Sequence, residues 1–225
     1  MFHKLTFKQA GGRRAYDIAD IEVPAGDSKP LLPEEVVKEM DIESLMQAVV
    51  HHISRVTGYG YLNSFIEEGS RGAEIGVDMG DGAQRLLENK PAMMHLVDPW
   101  VEWKDGWSGT KEQMDNRYGM VTGMFGVMEN VDIVRMSGAE WMSGQETDCL
   151  DWVYIDGDHH KDAAREDMEQ ALRVVKPGGI IAVDDLHCPV WHKEIGPALY
   201  EFRKAHKGEV KVLWDRSDPA ILRVL

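Results

Sequence analysis

Two short stretches of the chain crowd aspartate and histidine together: Tyr154-Ile155-Asp156-Gly157-Asp158-His159-His160 and Gly178-Gly179-Ile180-Ile181-Ala182-Val183-Asp184-Asp185. Each is an apolar run that stops abruptly at carboxylates, which predicts a buried strand ending at a polar edge. A helical segment between them brings the two strand ends side by side. Carboxylates that close raise one another's pKa, so such a cluster has a cation, a proton or a basic ligand among it. Only oxygens and a nearby imidazole are on offer. That donor set suits a hard divalent ion, magnesium, manganese or calcium, better than a thiolate-seeking metal.

The segments that must position these residues alternate. Beyond residue 70 short apolar runs and helical stretches follow one another: strand 72–78, helix 82–89, strand 93–98, helix 111–128, strands 131–136 and 151–156, helix 161–175, strand 179–184, helix 193–206. This order predicts an α/β fold, a Rossmann-like doubly wound sheet, mostly parallel. The end differs: 210–214 and 220–224 flank Asp215-Arg216-Ser217-Asp218-Pro219, which predicts a C-terminal antiparallel hairpin. Residues 1–69 read as an N-terminal extension rather than a domain: an arm rich in Gly and Pro to residue 33, one or two helices over 34–56, a break at Gly58-Tyr59-Gly60, and a short helix through Leu62, Phe65 and Ile66. Residues 70–225 form the main domain.

Composition narrows the partners. A chain of 225 residues with 43% apolar and 28% charged residues can bury one substantial core. Its net charge of −14 argues against gripping a phosphate backbone, so a small-molecule partner is expected and a nucleic acid is not. No apolar run approaches membrane-spanning length. Two cysteines make no disulfide framework, and the start Met1-Phe2-His3-Lys4-Leu5-Thr6 lacks an apolar signal core, so a reducing cytoplasmic setting is expected.

In an open parallel sheet the first strand carries the cofactor loop. Here Glu74-Ile75-Gly76-Val77-Asp78-Met79-Gly80-Asp81-Gly82 places Gly76, Gly80 and Gly82 in the turn from strand to helix. Their spacing is neither the dinucleotide G-x-G-x-x-G nor a P-loop. Glu74 and Asp78 would repel a pyrophosphate and suit a cofactor carrying an ammonium and a sulfonium. Asp98, ending the second strand, is placed to accept from two ribose hydroxyls. Ser137 and Glu140, with Trp141, follow the third strand, near where an adenine would lie. Taken alone, the loop glycines also read as ordinary turn residues, and Trp141 as core.

Together, the loop with Glu74, Gly76, Gly80 and Gly82, then Asp98, then Glu140, then Tyr154-Ile155-Asp156-Gly157-Asp158-His159, then Pro177-Gly178-Gly179 to Asp184-Asp185 resemble the class I S-adenosylmethionine-dependent methyltransferases. Within them the pattern is most similar to the small metal-dependent O-methyltransferases of the catechol type and those acting on sugars of macrolides and other natural products. The resemblance covers residues 70–225. It implies S-adenosyl-L-methionine and Mg2+, or Mn2+ or Ca2+, as cofactors. It implies Asp156, Asp184 and Asp185 as metal ligands chelating two vicinal hydroxyls of a small-molecule or sugar acceptor. It makes His159 the base, where catechol-type members have lysine, and implies a homo-oligomer paired through N-terminal helices and sheet edges. The chemistry of the residues agrees, because a neutral imidazole suits proton removal from a metal-bound hydroxyl near neutral pH.

Other residues point less sharply. Asp158 reads as a helix cap or a support for the metal site; His160, His187 and His192 flank the strand exits, and His51-His52 read as structural. Cys188 beside His187 has no C-x-x-C partner that would suggest zinc. Residues 99–109, with Trp100, Trp103 and Trp107, read as a polar-aromatic lid over the acceptor. Alternatives on the same sheet are a metal-independent methyltransferase and a metal-dependent hydrolase or hydroxylase, separated by metal dependence and by cofactor binding.

Overall fold

A computed structural model describes residues 62–102, 109–188, 190–216 and 218–225. The arm, the 34–56 helices, the Gly58–Gly60 break, Tyr59, Tyr61, His51, His52, Trp103 and Trp107 lie outside the described residues.

Strands β1 (Arg71–Ile75), β2 (Met93–Val97), β3 (Val131–Val134), β4 (Leu150–Ile155), β5 (Val175–Val183), β6 (Val210–Trp214) and β7 (Ala220–Val224) form a sheet in the order β3-β2-β1-β4-β5-β7-β6. The first five pair in parallel, and β7 runs antiparallel between β5 and β6. The doubly wound, mostly parallel sheet with a closing hairpin is therefore as expected.

Side chains on a strand alternate faces, so each buried strand feeds two cores. On β4, Val153 and Ile155 join Met168 and Ala171 of helix α4 (Lys161–Val174) and Leu199 and Phe202 of helix α5 (His192–Ala205). Trp152 and Tyr154 face the other way, toward Leu86 of α1 (Asp81–Leu87) and Val121 and Phe125 of α2 (Lys111–Phe125). A Cβ on Gly72 would fall 2.0 Å from the Trp152 ring, so β1 needs a glycine where that indole crosses it. The start of α2 is fixed by a capping box in which Thr110 and Gln113 satisfy each other's backbone N–H.

Several features differ from expectation, among them the end of β1 at Ile75 rather than 78. Strand β3 ends at Val134, and a short helix α3 (Gly138–Ser143) follows with Ser137 as N-cap. Strand β5 begins at Val175 rather than 179, directly off the end of α4. Trp100, assigned from sequence to a lid, is 1% exposed and belongs to the α1–α2 core, with its indole N–H donating to the Asp78 carbonyl at 2.9 Å. Among the described residues no helix is long and apolar enough to cross a membrane.

Candidate functional site

From β1 the chain builds outward to β2 and β3, then returns to lay β4 and β5 on the other side of β1. Ligands bind open sheets outside the strands' carboxyl ends at this reversal. A cleft of about 530 Å3 lies there, bounded by the loops after β1, β2, β3, β4 and β5. Two loops meet at its floor. Gly76 has φ +85°, and a Cβ on it would fall 2.0 Å from the Asp156 carbonyl oxygen; the Asp156 N–H donates to Ile75 O at 2.7 Å. The glycine is thus required by close approach of β4, quite apart from any ligand.

The β1 loop is shaped by Asp98. Its Oδ2 accepts the backbone N–H groups of Val77 at 2.9 Å and Asp78 at 3.0 Å, and its Oδ1 accepts that of Trp100 at 2.6 Å. Asp78, held at φ 49°, pairs with Arg117 of α2. Glu74, Gly76, Gly82, Asp98, Ser137 and Asp156 all line the cleft. Gly80, Glu140 and Asp184, also singled out from sequence, are not on its wall. Gly80 is the left-handed N-cap of α1 and backs onto Phe125; Glu140 is exposed in the first turn of α3.

At the β4 and β5 ends the acidic residues form two overlapping groups. One oxygen or nitrogen each from Asp156, His159 and Asp185 lie within 4.8 Å of one another, and so do oxygens of the buried Asp184, Asp185 and Asp218. His159 Nε2 is 2.6 Å from Asp185 Oδ2 and 3.4 Å from Asp156 Oδ1. Burial opposes a charge on this imidazole, but the ion pairs with Asp156 and Asp185 outweigh it and push its pKa up to about 10. The Tyr154 hydroxyl stands between Asp184 and Asp156, donating to Asp184 Oδ2 at 2.5 Å and reaching Asp156 Oδ2 at 3.5 Å. Of the three aspartates inferred as one ligand set, Asp156 and Asp185 gather at His159, Asp184 reaches Tyr154 and lies with Asp218, and Asp185 belongs to both groups.

Asp158 accepts from the backbone N–H of His160 at 2.9 Å and pairs with its ring, but it does not cap the helix, whose N-cap is His160 with no side-chain cap bond. His187 and His192 do not reach the cleft. His187 bonds the Asp215 carbonyl at 3.0 Å and its backbone N–H donates to Asp218, while His192 bonds Cys188 O at 3.1 Å. Three cleft features escaped the sequence reading. Trp191 stacks on the His159 ring, centroids 5.1 Å apart and planes 17° apart. Arg117 anchors Asp78 beside the β1 loop, and Asp167 of α4 lines the cleft although 6% exposed. Asp167 was legible: it falls on the helical stripe of Ala164, Met168 and Ala171, where a carboxylate is out of place.

Comparisons with known proteins agree with this architecture. A family described as a methyltransferase domain matches residues 73–186, just over half of the chain. No curated protein matches the chain by sequence. An O-methyltransferase from Bacillus cereus, solved in complex with SAH, superposes with a TM-score of 0.54 at 15% identity, over 85% of this chain and 94% of its own. An rRNA methylase from Streptococcus thermophilus gives 0.53 at 12%, over 75% and 95%. The N-methyltransferase NodS from Bradyrhizobium japonicum gives 0.54 at 12%, over 77% and 96%. At such identities the likeness is one of fold.

Proposed function

Because the chain belongs to the methyltransferase-domain family and is a class I S-adenosylmethionine-dependent enzyme, we propose that it is a divalent-metal-dependent O-methyltransferase acting on a vicinal diol of a small molecule such as a sugar. The observation that carries this reading is the Asp156–His159–Asp185 group, which gathers two carboxylates and an imidazole within 4.8 Å at one side of the cleft. The net charge of −14 favours a small acceptor over a nucleic acid.

The residues fit both cofactors. The amino acid of S-adenosylmethionine belongs against Glu74 and the Gly76–Gly82 loop, where acid groups suit its ammonium. Its ribose belongs at Asp98, and its base beside Ser137, Gly138 and Ala139. Oxygen donors with one imidazole suit a hard divalent cation held by Asp156 and Asp185, with Asp184 behind them. Bound there, such an ion would lower the pKa of the acceptor's hydroxyls. A proton on His159 and a cation at Asp156 and Asp185 are alternatives, since both draw on the same two carboxylates. With those carboxylates engaged elsewhere, the pKa of His159 returns toward its ordinary value and Nε2 can take the acceptor's proton. The acceptor oxygen then forms its bond to the methyl carbon as the carbon–sulfur bond breaks, leaving S-adenosylhomocysteine. Trp191 keeps the imidazole from turning and gives the site a flat apolar wall.

A metal-independent enzyme is a second reading, favoured by one observation: His159 Nε2 already lies 2.6 Å from Asp185 and 3.4 Å from Asp156, so a proton on the ring would neutralise these carboxylates without a cation. Methyl transfer from labelled S-adenosylmethionine to a panel of catechols and sugar diols separates the two. Loss of transfer in chelator with recovery in magnesium is expected; full transfer in chelator overturns metal dependence.

A further inference from the structure

The second half of helix α2 turns no charge toward water. From Tyr118 to Met128 the sequence has no Asp, Glu, Lys, Arg or His, in a chain in which 28% of residues are charged. A surface helix ordinarily buries one apolar stripe and sets polar and charged residues on the opposite face. Here Val121 and Phe125 are the buried stripe, yet Met120, Met124, Val127 and Met128 are 51%, 44%, 86% and 41% exposed. Met120 and Met124 lie one turn apart on the helix, and Val127 and Met128 follow in the turn after it. Gly119 and Gly123 stand beside the two methionines, also one turn apart. Neither is left-handed, and a Cβ on either would meet nothing within 4 Å. Gly72, Gly76 and Gly80 are imposed by close contacts within the chain. These two are not, although glycine weakens a helix interior relative to alanine. They leave a pair of gaps in a surface from which methionines protrude.

We propose that this face of α2 is where two copies of the chain associate, helix against helix across a twofold axis. Such a contact needs a surface complementary to itself. Met120 and Met124 beside the gaps at Gly119 and Gly123 meet that need: the flexible methionines of one copy fit over the glycines of the other, and the two backbones draw close. Charge points the same way. Two copies that each carry −14 repel, and they meet with least repulsion through a face without carboxylates, whereas a basic partner would be drawn to the acidic surface instead. The face is distinct from the N-terminal helices and sheet edges that the resemblance implied. It extends toward the cleft at the exposed Met79, whose neighbour Gly80 backs onto Met124 and Phe125.

Light scattering coupled to size-exclusion chromatography of the full chain, at rising concentration, tests this. Wild type should reach a dimer. Gly123→Leu, which fills a gap with a good helix former, and Met120→Glu, which adds a carboxylate, should each raise the dissociation constant at least about thirtyfold, since a substitution in a twofold contact acts twice. Both positions are exposed, so urea unfolding at concentrations where all the proteins are monomeric should give midpoints close to or above that of wild type. Oxidation of Met120 by hydrogen peroxide, read by mass spectrometry, reports what covers the face: it should be slow in dimeric wild type and fast in Gly123→Leu. Wild type that stays monomeric overturns the proposal, whether Met120 oxidises fast, as on an open face, or slowly, as under a segment of its own chain. A dimer unchanged by both substitutions overturns it too, and assigns association to another surface.

Discussion

Replacing Asp167 by Asn should stabilise the fold progressively as pH rises, even without ligand. The ordinary pKa of an aspartate is 3.8, and burial first, then the carboxylates of Glu166 and Asp158, push Asp167 in the folded chain up to about 7. Below 3.8 the carboxyl is protonated folded and unfolded, and contributes no pH dependence. Between 3.8 and 7 the unfolded chain gives up the proton while the folded chain keeps it, so wild-type stability falls with pH. Above 7 both states are ionised and the loss is complete. A shift of roughly three units at about 1.4 kcal/mol each gives about 4 kcal/mol. This is a ceiling, since admitting water would relieve part of it. The amide of Asn has nearly the same shape and can still accept the Ala139 N–H, but it cannot ionise. Urea unfolding of both proteins at pH 4, 5, 6, 7 and 8 isolates the effect, because titrating groups other than Asp167 and its neighbours Glu166 and Asp158 cancel in the difference. The advantage of the variant should be near zero at pH 4, climb by about 1.4 kcal/mol per unit at steepest, and level off above pH 7. A difference flat in pH, or one growing toward acid, would refute a proton held at Asp167.

Further outcomes follow from the same geometry. His159→Ala should leave S-adenosylhomocysteine affinity nearly unchanged, while turnover on an accepted diol falls about 10²- to 10⁴-fold, the usual worth of a positioned base. Tyr154→Phe removes the hydroxyl between Asp184 and Asp156 and should lower stability by about 1–3 kcal/mol in urea titration, since a buried carboxylate loses a donor. Gly72→Ala drives a methyl into the Trp152 ring, whose Nε1–H is tied to Ser70 Oγ at 3.0 Å, and should cost at least about 1–3 kcal/mol by thermal unfolding.

The sheet was legible because its strands are apolar runs bounded by turn residues, a signal that survives without knowledge of tertiary contacts. The short helix Gly138–Ser143 was not, since six residues are too few to show a helical period, and Ser137-Gly138 reads equally well as a strand end. Trp100 was taken for a lid because its neighbours are polar; its burial comes from α1 and α2, remote in sequence. The carboxylates at the ends of β4 and β5 were found where expected, but their arrangement in two groups that share Asp185 was hidden. It depends on the Tyr154 hydroxyl, and a strand tyrosine gives no sign of which carboxylate it will reach. Nor could sequence show that Asp98 would bond backbone N–H groups, because those donors belong to a loop whose path is set only on folding.

That last arrangement bears on how the cleft meets a ligand. Three backbone N–H groups, from two separate loops, converge on the one Asp98 side chain, so the turn after β1 is held in shape from within. Elsewhere a glycine-rich turn would be ordered by the molecule it receives, and that ordering would subtract from affinity. Here folding bears the entropic cost. Association should therefore resemble docking to a rigid surface, with little backbone rearrangement between the free and the occupied loop.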